Sequence, residues 1–229
     1  MYKYLLFDLD ETLFDFKLAE RLAITEVLKK HSLPTDDATV ALYSKINDDC
    51  WKAYEKGEIQ RDDIYINRFI TLVERLGVTT KPKDLCADYF VALGAQGIVF
   101  PKAEPLLKKL RQKGYVLAAV TNGALTTQNN RIKNSGIAHY FDGGIYISEE
   151  VGFKKPEKEF FDLVLNALGN PNKGEVLVLG DSPSSDILGA MNAGLDSCFV
   201  SLRGESLPNE LFAKYIVHDL DDIIKVCGL

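Results

Sequence analysis

Two aspartates, Asp8 and Asp10, follow directly on the apolar run Tyr4-Leu5-Leu6-Phe7. On extended backbone, residues two apart project to the same side, so both carboxylates can face one site. Two such acids divide labour when metal and environment push their pKa values apart. Asp8, if bound to a metal, stays ionised and can attack phosphorus; Asp10, if shielded and facing a leaving oxygen, can hold a proton and deliver it. Later apolar runs bring further groups. Thr121-Asn122-Gly123 follows the run ending at Val120 and offers a hydroxyl and neighbouring amides to a phosphoryl oxygen. Lys155 precedes Pro156, which stiffens its loop, and a fixed ammonium there would offset charge at a nucleophile. Asp181 follows the run Val176–Gly180, with Asp186 shortly after. Magnesium takes oxygen ligands and only one or two carboxylates beside a substrate phosphate. Asp8, Asp181 and a backbone carbonyl suit it, with Asp186 orienting metal waters or fixing Asp181 from behind.

Each group also has a plain structural reading. Asp8 and Asp10 suit a strand that ends in turn-forming acids, and Thr121-Asn122-Gly123 suits an ordinary strand-to-helix turn. A loop lysine is commonly solvated, and Asp181, Ser182, Ser184 and Ser185 can all serve as helix caps. What joins them is the order of the elements that must carry them. After Pro101, helical patterns alternate with buried apolar runs. Helix 104–113 leads to strand 115–120, helix 126–135 to strand 144–147, helix 157–168 to strand 176–179, and helix 184–193 to strand 197–200. Such alternation predicts a parallel sheet covered on both faces, and Leu5–Phe7 belongs to it by composition. Ligands of such sheets bind beyond the carboxyl ends of the strands, where these polar groups stand.

Between Lys17 and about Gln96 apolar residues recur only at helical spacing, punctuated by Gly57, Gly77 and Lys81-Pro82. The predicted architecture is an α/β fold, a Rossmann-like parallel core of residues 1–15 and 98–229 with an inserted all-helical cap domain, residues 16–97. The segments near Phe16 and Gly97–Pro101 are its expected hinges. Phe14, Phe16, Trp51 and Tyr54 are read as packing residues rather than a platform for a base.

Lys and Arg total 27 against 33 Asp and Glu, a net charge of −6, so no global positive field gathers nucleic acid or anionic membrane. An anionic substrate must be drawn in locally, by a cation or a few focused donors. The 46% hydrophobic content supports a full core, and no stretch is long enough to span a bilayer. Four scattered cysteines and three histidines, with no CxxC, argue for free thiols in a reducing cytoplasm and against zinc.

Taken in order, Phe7-Asp8-Leu9-Asp10-Glu11-Thr12-Leu13, Val120-Thr121-Asn122-Gly123, Lys155-Pro156 and Gly180-Asp181-Ser182 through Asp186 resemble the four motifs of the haloacid dehalogenase-like (HAD) phosphohydrolase superfamily. The helical block falls where that superfamily inserts its cap. The run Ile147–Pro156, with Phe14-Asp15-Phe16 and Trp51-Lys52-Ala53-Tyr54, is most similar to the pyrimidine 5'-nucleotidase branch. The resemblance implies Asp8 as nucleophile, Asp10 as general acid and then base, and Thr121, Asn122 and Lys155 as substrate-binding. It implies Mg2+ on Asp8, Asp181 and the carbonyl of Asp10. The implied partner is a small phosphorylated metabolite, a nucleoside monophosphate, handled by a cytoplasmic monomer or weak homodimer. Phosphosugars or phosphoglycolate are the alternative substrates, through a phosphatase or mutase; a catalytically silent phosphate-binding module is the non-enzymatic alternative. A haloacid dehalogenase is disfavoured because a departing halide needs no proton from Asp10.

Overall fold

The computed structural model describes residues 2–228. Strand β1 (Tyr4–Phe7) is followed by helices α1 (Phe16–Lys30), α2 (Asp37–Glu55), α3 (Arg61–Leu76) and α4 (Pro82–Gly94). Helices and strands then alternate. In order they are α5 (Ala103–Gln112), β2 (Val116–Thr121), α6 (Leu125–Ser135), β3 (Ile145–Ile147), the one-turn α7 (Ser148–Val151) and α8 (Lys158–Ala167). The chain continues through β4 (Val176–Gly180), α9 (Leu188–Ala193), β5 (Asp196–Val200), β6 (Tyr215–Val217) and α10 (Leu220–Val226). By internal contacts the chain divides into two compact units, Met1–Phe16 with Ile98–Leu229, and Lys17–Gly97.

The six strands form one parallel sheet in the order β3-β2-β1-β4-β5-β6. Parallel strands need crossovers, and helices supply them on both faces except between β5 and β6, which an irregular segment joins. Alternation along each strand sends side chains to opposite sides. Leu5, Phe7, Leu117, Ala119, Leu177 and Leu179 pack with Leu106, Leu107 and Leu110 of α5 and Ile223 of α10. Leu6, Ala118, Val120, Val176 and Val178 pack with Phe160, Phe161 and Val164 of α8 and Ala190 of α9. Removing each such Leu, Val, Ile or Phe side chain from water contributes roughly 1.5–3 kcal/mol, which fixes the register of the strands. Phe7 lies level with Ala119 on one side and Leu179 on the other. The residues just beyond, Asp8, Thr121 and Asp181, therefore emerge at one edge. The strand order reverses beside β1, the place where open α/β sheets bind ligands.

The parallel α/β core and the all-helical insertion agree with the sequence, with element ends shifted by one or two residues. Three elements were not anticipated, the one-turn α7, β6 and α10. β6 is a three-residue edge strand whose Ile216 is exposed, and α10 is a two-turn helix capped by Asp219, which accepts from the Asp221 N–H at 2.8 Å. The expected helix 184–193 opens as a wide π turn over Pro183–Ile187 before becoming α9. Such turns recur at functional sites, and this one carries Asp186.

In the unit Lys17–Gly97, Tyr43, Phe69 and Tyr89 form a buried aromatic cluster. The guanidinium of buried Arg68 lies 4.7 Å from the Tyr89 ring and donates to Asn47 Oδ1 at 2.8 Å. Asn47 and Ser44 donate to the two oxygens of Glu20, whose pKa burial pushes up. This polar chain pairs most of its buried groups, as a low-dielectric interior favours, and leaves Arg68 Nε without a hydrogen-bond partner. Trp51 packs edge-on against Tyr54, and Phe14 is fully buried in the sheet core, as expected for packing residues. No helix among the described residues is long and apolar enough to cross a membrane.

Candidate active site

Asp8 continues the line of β1: its N–H still donates to Leu179 O at 2.8 Å, which holds the residue in the sheet while its side chain enters the site. The chain then turns sharply. Leu13 and Phe14 N–H both donate to Leu9 O, and Glu11 takes the left-handed conformation at φ 57°. That turn keeps Asp10 beside Asp8 instead of carrying it away.

Lys155 is a buried cation with no solvated role. Its Nζ donates to Asp8 Oδ1 at 2.6 Å, Asp186 Oδ1 at 2.6 Å and Val120 O at 3.0 Å, using all three ammonium hydrogens. Asn122 secures the loop that delivers it, accepting from the Lys155 N–H at 2.9 Å and donating to the Lys155 carbonyl at 2.8 Å. The Asn122 side chain is thus spent on backbone 33 residues away, where it holds Lys155 in place.

Asp186 is fully buried, with Oδ1 on Lys155 and Oδ2 accepting from the Ser182 N–H at 3.0 Å. A Cβ at Gly180 would stand 2.2 Å from Asp186 Cγ, so only glycine lets β4 end against this carboxylate. Asp181 is half-buried at the end of the same strand. One carboxylate oxygen each from Asp8, Asp181 and Asp186 lie within 4.8 Å of one another. The Asp10 carboxylate is not in this trio, whereas Asp186, expected behind Asp181, is part of it.

Burial drives the electrostatics. It pushes Asp8 up to about 8 against the opposing pull of Lys155, with Asp186 and Asp10 adding to the rise. Burial likewise pushes Asp181 well above the carboxylate range, helped by Asp8 and Asp186. Lys155 moves the other way from what burial alone dictates: Asp186 and Asp8 overcome that penalty and raise its pKa. The site's acids, Asp8, Asp10, Asp181 and Asp186, outnumber the cations that touch them, Lys155 and Arg131. Clustered hard oxygens with unbalanced negative charge fit a divalent cation such as magnesium.

Thr121 ends β2 and is buried, its Oγ1 accepting from Gly123 N–H at 3.1 Å and Gln128 Nε2 at 2.9 Å. Asp10 is half-buried. Its Oδ2 accepts from Gln128 Nε2 at 3.0 Å, and its Oδ1 accepts from Arg131 Nη1. The structure therefore brings Asp8, Asp10, Thr121, Lys155, Asp181 and Asp186 into one connected cluster.

Gln128 and Arg131 were not anticipated from the sequence. Their signal was present in the composition of α6, Leu-Thr-Thr-Gln-Asn-Asn-Arg-Ile-Lys-Asn-Ser. A helix so poor in apolar residues must bury polar ones to pack at all, and Thr127, Gln128, Arg131 and Ile132 form its buried face.

Comparison with known proteins gives consistent matches. The haloacid dehalogenase-like hydrolase model matches residues 2–194. The HAD-hydrolase YfnB of Bacillus subtilis is 32% identical over 230 residues, covering 100% of this chain and 96% of that protein. Its crystal structure, bound to magnesium, superposes with a TM-score of 0.94 over 100% of this chain and 99% of that one. Pyrimidine 5'-nucleotidase PynA of Streptococcus pneumoniae is 32% identical, covering 97% of this chain and 95% of that protein. Pyrimidine 5'-nucleotidase YjjG of Escherichia coli is also 32% identical, covering 96% and 95%.

Proposed function

The chain belongs to the haloacid dehalogenase-like hydrolase family, and from that premise we propose a magnesium-dependent phosphomonoester hydrolase that prefers pyrimidine nucleoside 5'-monophosphates. The observation that carries the chemistry is Asp8 at a strand end, 2.6 Å from a buried lysine and clustered with two further carboxylates. The nucleotide preference draws on the two full-length relatives named as pyrimidine 5'-nucleotidases.

In this reading an Asp8 oxygen attacks phosphorus in line while the ester oxygen departs, giving an acyl phosphate on Asp8 and an alcohol. Asp10 gives its proton to the departing oxygen, then takes one from the water that attacks the acyl phosphate, so inorganic phosphate leaves and Asp8 is restored. Thr121 accepts two hydrogen bonds, which fills its lone pairs and leaves its own hydrogen to donate to a phosphoryl oxygen. Lys155 offsets the repulsion between carboxylate and phosphate. Asp8, Asp181 and Asp186, with the carbonyl of Asp10, would hold Mg2+. When bound, that ion supplies the positive charge that keeps Asp8 ionised and neutralises the phosphate.

The test is phosphate release from pyrimidine and purine nucleoside monophosphates and sugar phosphates, with magnesium or a chelator. Magnesium-dependent release with the highest kcat/KM on pyrimidine nucleotides is expected. A higher kcat/KM on sugar phosphates would overturn the nucleotide assignment, and no release from any ester would overturn the hydrolase.

A second expectation concerns metal and pH. Asp8 and Asp181 bind protons more tightly folded than unfolded. Their contribution to stability is therefore present below the ordinary carboxylate range and lost as pH rises toward about 8. A cation bound at these carboxylates offsets that loss, whereas at low pH protons compete with it. Saturating Mg2+ should stabilise the protein by about 2–3 kcal/mol at a hundredfold excess over Kd, with a larger rise in Tm at pH 8 than at pH 5. Melting curves with magnesium and with chelator check this; equal gains at both pH values would remove the carboxylates as the binding site.

A further inference from the structure

We infer that Gln128 and Arg131 of α6 are positioning residues that fix the direction of the hydrogen bonds at Asp10 and Thr121, and so aim the Asp10 carboxyl at the leaving oxygen. This rests on the reading of Asp10 as proton donor.

The inference follows from donor counting. A guanidinium only donates, so the end of the Gln128 amide that faces Arg131 must be its oxygen. Arg131 Nη1 does donate to Gln128 Oε1 at 2.9 Å. The amide nitrogen is thereby turned the other way, toward Asp10 Oδ2 at 3.0 Å and Thr121 Oγ1 at 2.9 Å. With the amide reversed, Thr121 would face an acceptor and have to spend its hydrogen there, and Asp10 would face an oxygen. Arg131 thus orients Thr121 through Gln128, and it holds the second Asp10 oxygen directly.

Three further features show that this network is built into the fold. Gln128 and Arg131 are each about 1% exposed, so the geometry is shielded from competing water. The Arg131 guanidinium lies 4.6 Å from the ring of Phe14, on the turn that carries Asp10, and 5.5 Å from the ring of Phe16, at the start of α1. A Cβ at Gly123 would stand 2.6 Å from the Gln128 side chain, so glycine at that position clears its path. Stability gives little reason for such an arrangement, since Asp10 is partly exposed and an ion pair in reach of solvent contributes little. Orientation supplies one.

The test compares kcat/KM, which reads the first phosphoryl transfer, on two esters. A nucleoside 5'-monophosphate has an alkoxide leaving group that needs a proton, whereas p-nitrophenyl phosphate does not. Arg131→Met and Gln128→Leu should lower kcat/KM on the nucleotide by about 10²-fold, and on p-nitrophenyl phosphate by about tenfold or less. Gln128→Glu, nearly isosteric, places an acceptor against Asp10 and should show the same selectivity; it decides the matter if Arg131→Met does not fold. Asp10→Asn is the reference. Selective loss in Asp10→Asn with equal losses on both esters, or none, in the α6 variants would overturn the positioning role and leave Asp10 as the acid. Equal losses on both esters in Asp10→Asn would overturn the acid assignment and the positioning role with it.

Discussion

Asp8→Asn should fold normally and lose phosphate release by on the order of 10⁴-fold or more in kcat. The substitution keeps the shape of the side chain and removes its charge. The amide oxygen can still accept from Lys155, which also retains Asp186 at 2.6 Å and Val120 O at 3.0 Å. Burial opposes the charge on Asp8, so a neutral residue there relieves a cost, and Tm in chelator should hold or rise. Activity and stability therefore move apart, which separates a lost nucleophile from a damaged fold. Phosphate release beside a melting curve measures both. A variant within about tenfold of the parent would exclude Asp8 as the attacking group.

Lys155→Met should act in the opposite sense on stability. The parent ammonium satisfies three acceptors at once and separates Asp8 from Asp186. Without it two buried carboxylates lose their counter-charge, and a buried pair broken from one side costs about 3–5 kcal/mol. The methionine fills the space, so the loss is electrostatic and not a cavity effect. It should be larger at pH 8 than at pH 5, because protons neutralise the stranded Asp8 at low pH. Added Mg2+ should recover part of the stability but not turnover. Lys155→Arg should not rescue, since a planar fork cannot meet three acceptors arranged around a point charge. Urea unfolding in chelator checks the cost; a loss below about 1 kcal/mol would mean that Lys155 behaves as a surface ion pair.

What the sequence made legible follows from periodicity. Apolar runs bounded by glycine and polar residues located β1, β2 and β4, and the parallel arrangement then required Asp8, Thr121 and Asp181 to share an edge. Lys155 was legible only through the family resemblance, since a loop lysine by itself reads as solvated. Periodicity says nothing about which way a side chain's atoms turn once they arrive. The Asn122 side chain is bound to the Lys155 backbone from a distant loop, a contact no period announces. Asp186 has one oxygen on Lys155 and lies within the carboxylate trio, a placement set by the wide turn after Ser182. Gln128 and Arg131 sit in a helix whose composition requires polar residues to be buried without saying which ones or against what. β6 and α10 were missed because an exposed edge strand of three residues and a two-turn helix carry too few apolar positions for a period to show.

The place of β1 in the sheet has a consequence for biosynthesis. Tyr4–Phe7 leaves the ribosome long before either neighbour exists: its partners begin at Val116 and at Val176. At about 5–20 residues per second, the wait for the second partner is on the order of ten seconds or more. Throughout that interval an apolar segment with two open edges is available to any passing strand. Nascent chains arrested before Val176 should therefore be the aggregation-prone species. Heat-shock chaperones that hold short hydrophobic peptides should bind them, and release should coincide with the emergence of β4.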